Sequence, residues 1–86
     1  DLTARRADAP EGSYTQKLLT NRNLRLKKIG EEATELAVAC ADGDVARATD
    51  EGADVFYHTL VALRALGVSL DDVRQVLAQR VGAPRR

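Results

Sequence analysis

Histidine and cysteine are almost missing from this sequence, with one of each in 86 residues. The lone Cys40 excludes a disulfide framework and a cysteine-based metal site, and it reads as a small buried hydrophobe. No apolar run approaches the roughly 18 residues that would suggest a membrane span, and no signal-peptide pattern appears. Excess charge is missing too. The 13 basic residues balance the 13 acidic ones, which removes bulk attraction to nucleic acid or an acidic membrane. Strand alternation, long repeats and low-complexity segments are absent. These absences leave one small domain, expected to be cytoplasmic, with an apolar share of 44% that suffices for a core. So small a domain buries only a modest part of its surface, so oligomerisation is an expectation. The chain opens at Asp1 without methionine, which suits a piece of a longer protein.

What is present is helical periodicity. Asp1 to Ala9 reads as the end of a polar helix or a loose tail, and Pro10-Glu11-Gly12 as a breaker. Ser13 and Gln16 fit a capping box for a short helix carrying Leu18 and Leu19. Asn21 or Asn23 caps the next helix, over about Leu24–Ala41. At about 100° per residue, Leu26, Ile29, Ala33, Leu36, Ala37 and Cys40 share its core stripe. Gly30, inside that helix, is read as a site of close helix packing. Gly43 and Asp44 close this helix and open another, over about Val45–Leu66. Its second half (Val55, Phe56, Tyr57, then Leu60 to Leu63) is apolar nearly all round. Such a helix must be covered on every face, which points to a second subunit. Gly67 ends it. Ser69 caps a last helix with Asp71 and Asp72 in its first turn and Leu70, Val73, Val76, Leu77 and Val81 as its stripe. Pro84-Arg85-Arg86 is a tail. The expected fold is all-α, a bundle of about four to five helices whose core a second copy completes.

The chemistry lies in the acids. Glu31, Glu32 and Glu35 crowd one helix, and Glu51 and Asp54 repeat the Glu32–Glu35 gap on the next. Like charges at such spacing repel by a few tenths of a kcal/mol per pair, so something cationic belongs between them. Glu32, Glu35 and Lys28 fall on one flank of the core stripe. Glu31 lies further round, so spacing ranks it below the other two. Four carboxylates offer hard oxygen ligands, which suit Mg²⁺ or Mn²⁺ better than Zn²⁺ and suggest phosphate chemistry. A di-iron bundle would need a Glu-x-x-His pair on each of two helices. The single His58 follows Asp54 by four positions and fails that test. His58 is instead a candidate for contact with substrate or with the outer metal shell. The bland alternative is a solvated acidic face, which two equally spaced pairs beside an apolar stripe disfavour.

At these residues a resemblance appears. Lys28-Ile29-Gly30-Glu31-Glu32-Ala33-Thr34-Glu35 and Asp54-Val55-Phe56-Tyr57-His58 resemble the phosphoribosyl-ATP pyrophosphohydrolase family of histidine biosynthesis. The acidic pattern itself marks the wider all-α, MazG-type nucleotide pyrophosphohydrolases. Pro10-Glu11-Gly12-Ser13-Tyr14-Thr15 and Gly67-Val68-Ser69-Leu70-Asp71-Asp72-Val73 narrow the likeness, which covers about Leu2 to Arg80. It implies a helical dimer or higher assembly. It also implies Mg²⁺-dependent cleavage of phosphoribosyl-ATP to phosphoribosyl-AMP and pyrophosphate. By matching positions, Glu32, Glu35, Glu51 and Asp54 correspond to the metal ligands, and Glu31 to the first acid of the motif. Gly52 departs from the alanine common in the family. The family also occurs fused behind a cyclohydrolase domain, so a fusion half and a free-standing enzyme both stay open. Lys28 is the first candidate for a phosphate contact, with Lys27, Arg22 and Arg25 behind it. Glu31 or Glu32 is the candidate to act on the attacking water. The alternatives are a housekeeping nucleoside triphosphate pyrophosphohydrolase and a non-enzymatic, metal-binding dimerisation module.

Overall fold

A computed structural model describes residues 11–81, with Glu11 described in its backbone only. The expectations for Asp1 to Ala9 and for Pro84-Arg85-Arg86 lie outside these residues. Four helices account for nearly all of the described chain: α1 (Glu11–Thr20), α2 (Arg22–Asp42), α3 (Val45–Ala65) and α4 (Leu70–Val81). There is no strand among the described residues. No single described helix is long and apolar enough to cross a membrane.

Each junction is set by local chemistry. α1 already includes Glu11 and Gly12, so Ser13 lies inside its first turn and is not its cap. Glu11 and Gly12 are helical, so the break expected over Pro10-Glu11-Gly12 is not found at these two positions, and Pro10 lies outside the described residues. Asn21 alone separates α1 from α2, with extended backbone (φ −124°, ψ 95°). Its Oδ1 accepts from the Leu24 N–H at 3.0 Å, which makes it the cap in place of Asn23. Arg25 Nη1 donates back to the carbonyls of Leu18 and Leu19, at 3.3 and 3.1 Å, and satisfies the end of α1.

Gly43 takes the left-handed conformation (φ 69°) that terminates α2. Asp44 then accepts from the Arg47 N–H at 3.0 Å and opens α3. Gly67, at φ 79°, turns the chain after α3. Ser69 and Asp72 form a reciprocal capping box: the Asp72 N–H donates to Ser69 Oγ at 3.1 Å, and the Ser69 N–H to Asp72 Oδ2 at 2.9 Å.

Most packing runs along the α2–α3 hairpin, with α1 laid against both helices. The buried hydrophobic set is thin: Leu18, Ala39 and Val61. The face α2 turns inward centres on Glu32 and Ala39, with Ile29 and Leu36 at one edge. This corrects the expected stripe. Leu26, Ala33, Ala37 and Cys40 are exposed, so Cys40 is a free surface thiol and not a core hydrophobe. The stripe was centred on the most apolar side of the helix, while the chain itself packs against the side that carries the acids.

The α3 face opposite His58 presents Val45 and Phe56, 79% and 72% exposed, together with Leu60. α4 buries no residue, and Leu70, Val76, Leu77 and Val81 are all exposed. Gly30 is corrected as well. It is exposed, and a Cβ there would meet nothing within 4 Å. Gly30→Ala should therefore stabilise the protein by about 1 kcal/mol through helix propensity alone, measured by urea unfolding. A destabilised Gly30→Ala protein would restore the close-packing reading.

Candidate metal centre

The acids meet because the hairpin folds α2 back along α3. Glu35 and Glu51 stand nearly equidistant from the Gly43-Asp44 turn, so the turn brings them level, and Glu32 stands one helical turn further along. One oxygen from each of Glu32, Glu35 and Glu51 lies within 4.8 Å of the others. Glu32 is only 7% exposed, a rare burial for a carboxylate. Glu51 is half-buried and Glu35 exposed, so the cluster opens from the seam toward solvent. The Oε1 atoms of Glu32 and Glu51 are both buried without a hydrogen-bond partner. A buried acceptor left unpaired costs about 1–3 kcal/mol, and more when charged, so this seam is arranged against stability.

The electrostatics agree. Burial, then the neighbouring carboxylates of Glu35 and Glu32, push the Glu51 carboxyl above the usual carboxylate range. Lys28 supplies the opposing charge, with Nζ 3.6 Å from Glu32 Oε2 and 3.6 Å from Glu31 Oε1. Burial pulls this lysine down. Tyr14 (through the phenolate it forms at high pH), Glu32 and Glu31 together outweigh that pull, so Lys28 stays charged to higher pH than usual.

The remaining candidates are placed less centrally. Asp54 is half-buried one turn beyond Glu51 and does not belong to the converging group. Glu31 is exposed and held by Lys28 and by Lys27, the latter at 3.8 Å. Arg25 is engaged in capping α1, and Arg22 is exposed. His58 is 3% exposed. Its Nδ1 faces the Asp54 carbonyl at 2.9 Å. A carbonyl only accepts, so Nδ1 carries the hydrogen. In the neutral ring Nε2 then accepts from the Tyr14 hydroxyl at 2.9 Å. Both ring nitrogens are therefore engaged inside the chain, which fits a fold-locking role.

Sequence reasoning overlooked the partners of this histidine. Tyr14 stacks on Tyr57, with centroids 6.0 Å apart, and Thr15 Oγ1 shares a hydrogen with the Tyr57 hydroxyl at 2.7 Å. Together these residues fasten α1 across α3. The available signal was an adjacent Tyr57-His58 pair facing a helix that itself carries a tyrosine.

Comparison with known proteins bears on this arrangement. A sequence model of the family described as phosphoribosyl-ATP pyrophosphohydrolase matches residues 1–81. The chain is similar to the histidine biosynthesis bifunctional protein HisIE of Parasynechococcus marenigrum, 49% identical over 99% of this chain and 39% of that protein. It is also similar to the phosphoribosyl-ATP pyrophosphatase of Haloarcula marismortui, 44% identical over 88% of this chain and 81% of the relative. Phosphoribosyl-ATP pyrophosphatase 1 of Bradyrhizobium diazoefficiens is 45% identical over 92% of this chain and 76% of its own length. The chain thus spans about two fifths of the bifunctional relative and three quarters or more of the other two.

The raised Glu51 carboxyl has a measurable consequence. A carboxyl that holds its proton more tightly in the folded than in the unfolded chain favours folding while protonated. That contribution is lost as pH rises from the ordinary carboxylate range through the raised Glu51 value. In chelator, the melting temperature should therefore decline across that window. Glu51→Gln should flatten the decline, and an unchanged profile in this variant would show that the cluster does not strain the fold.

Proposed function

The chain belongs to the phosphoribosyl-ATP pyrophosphohydrolase family, and we propose that it cleaves phosphoribosyl-ATP to phosphoribosyl-AMP and pyrophosphate, the second step of histidine biosynthesis. One observation carries this reading: Glu32 and Glu51 each hold a buried, unpartnered oxygen, and one oxygen from each of these residues and from Glu35 lies within 4.8 Å of the others. An all-oxygen donor set of this kind fits Mg²⁺, with Mn²⁺ as a substitute. Glu32, Glu35 and Glu51 would hold the ion, and Asp54 is the proposed fourth donor. A bound ion supplies charge neutralisation along the phosphate chain and an activated water at neutral pH. Lys28, and further out Lys27, offer positive charge to the phosphates. Glu31, at the exposed edge of the same turn, is the candidate to take the proton of the attacking water. We place the enzyme in the cytoplasm, because so highly charged a nucleotide does not cross membranes unaided.

The same reading includes a homodimer. Exposed Leu26, Ala33 and Ala37 on α2 and Val45, Phe56 and Leu60 on α3 form apolar faces that a second copy would cover.

Two measurements test these proposals. With Mg²⁺, pyrophosphate release should be strong from phosphoribosyl-ATP and weak from ATP and dUTP. Preference for ATP or dUTP would point to a housekeeping pyrophosphohydrolase, and no release from any of them to a binding module. Glu32→Gln should lose activity by about 100-fold or more, since it removes both a donor and a charge. In chelator it should be as stable as the parent or more so. Separately, light scattering at micromolar concentration should give at least twice the 9.3 kDa chain mass. Phe56→Asp should dissociate the assembly, because it sets an unpaired charge into the covered face. A stable monomeric parent would refute the dimer.

A further inference from the structure

Lys28 is the only described lysine or arginine that ion-pairs with a member of the converging carboxylate group. The two oxygens of Glu32 are treated differently. Oε2 lies 3.6 Å from the ammonium, whereas Oε1 is buried and unpartnered, and one oxygen of the same carboxylate lies within 4.8 Å of oxygens of Glu35 and Glu51. At that distance the pair is held by charge and not by a short directional hydrogen bond, so it is released at low cost. Glu31 Oε1, also at 3.6 Å, keeps the ammonium charge-paired if Glu32 is withdrawn. The lysine side chain is 27% exposed against 9% for that of Glu32, so it stands at the mouth of the seam. Its stem leaves α2 one turn before Glu32, which confines any movement to that mouth.

We propose that Lys28 is an exchangeable counter-ion: it stands against Glu32 in the ion-free chain, and on loading with a divalent cation it is freed toward the phosphate chain of the ligand. The inference rests on the metal-site reading above and adds a coupling to it. Two cations compete for one carboxylate, so the lysine opposes the ion when no phosphate is present. A phosphate then takes up the displaced ammonium, so the same lysine supports binding once ion and phosphate are together. A purely structural ion pair would leave phosphate affinity alone. A lysine that only touched phosphate would leave ion affinity alone.

Calorimetry on the whole chain separates these cases without turnover. Mn²⁺ is titrated first without phosphate, and pyrophosphate is then titrated into Mn²⁺-saturated protein. In Lys28→Met, Mn²⁺ should bind about fivefold tighter and pyrophosphate about tenfold weaker, the modest size expected for coupled sites. Lys28→Arg should recover pyrophosphate affinity, and Lys28→Gln repeats the measurement if the apolar variant does not fold. Unchanged or weaker Mn²⁺ binding in Lys28→Met and Lys28→Gln, or unchanged pyrophosphate binding in them, would overturn the exchange while leaving the metal site standing. A parent protein with no Mn²⁺ affinity would overturn both.

Discussion

Mutual repulsion among Glu32, Glu35 and Glu51 is the constraint on which the rest of the fold turns. Their oxygens converge within 4.8 Å along the most extensively packed seam among the described helices. A helical hairpin of this length would ordinarily fill that seam with aliphatic side chains, each worth roughly 1.5–3 kcal/mol when buried. Here it holds charge, two of whose oxygens lack partners. Much of the surrounding chemistry serves to hold the hairpin closed against that charge. The left-handed Gly43 and the Asp44 cap fix the turn. The Tyr14–His58 and Thr15–Tyr57 bonds tie α1 across α3. Lys28 lends a positive charge at the mouth.

The apolar residues are displaced as a result. With the α2–α3 seam given to acids, only Leu18, Ala39 and Val61 are fully inside among the hydrophobic side chains described. Leu26, Val45, Phe56 and the α4 leucines face outward. The sequence has an ordinary apolar content, so the hydrophobic surface has been moved and not omitted. This gives a physical reason for the proposed homodimer: apolar faces left for a second copy to cover would leave the interior of each chain free for a charged site.

The parts of this architecture written in local signals were legible in the sequence. Gly43, Asp44, Gly67 and Ser69 are each a residue type whose own side chain or backbone freedom forms the junction, so no distant contact was needed to foresee them, and the same reasoning narrowed the α2 cap to Asn21 or Asn23. The ranking of Glu32 and Glu35 above Glu31 followed from helical angle alone. What failed depended on which face is covered. Periodicity finds the apolar side of α2 but cannot say whether the same chain covers it, so Leu26, Ala33, Ala37 and Cys40 were set in a core they do not occupy. Gly30 was misread for the same reason. Ser13 misled because a capping pattern also occurs inside a first turn. The His58–Tyr14 bond joins residues far apart in the chain, and no spacing rule reaches that far.

Membership of the family narrows the chemistry without dividing the labour among the acids, and geometry takes that step. Glu32 combines deep burial, an orphaned oxygen and an ion pair, so it feels both the cluster and its counter-ion. Glu51 carries the strain of the charge, seen in its raised carboxyl. Glu35 is exposed and meets solvent or an incoming group first. Asp54 shares the spacing but not the convergence, and its carbonyl anchors His58. That bond ties the backbone at the far end of the acidic stretch to α1 through Tyr14. A shift of α1 would therefore move the α3 backbone that carries Glu51 and Asp54. On this view the short first helix belongs to the site as a brace that fixes where half of the acids can stand.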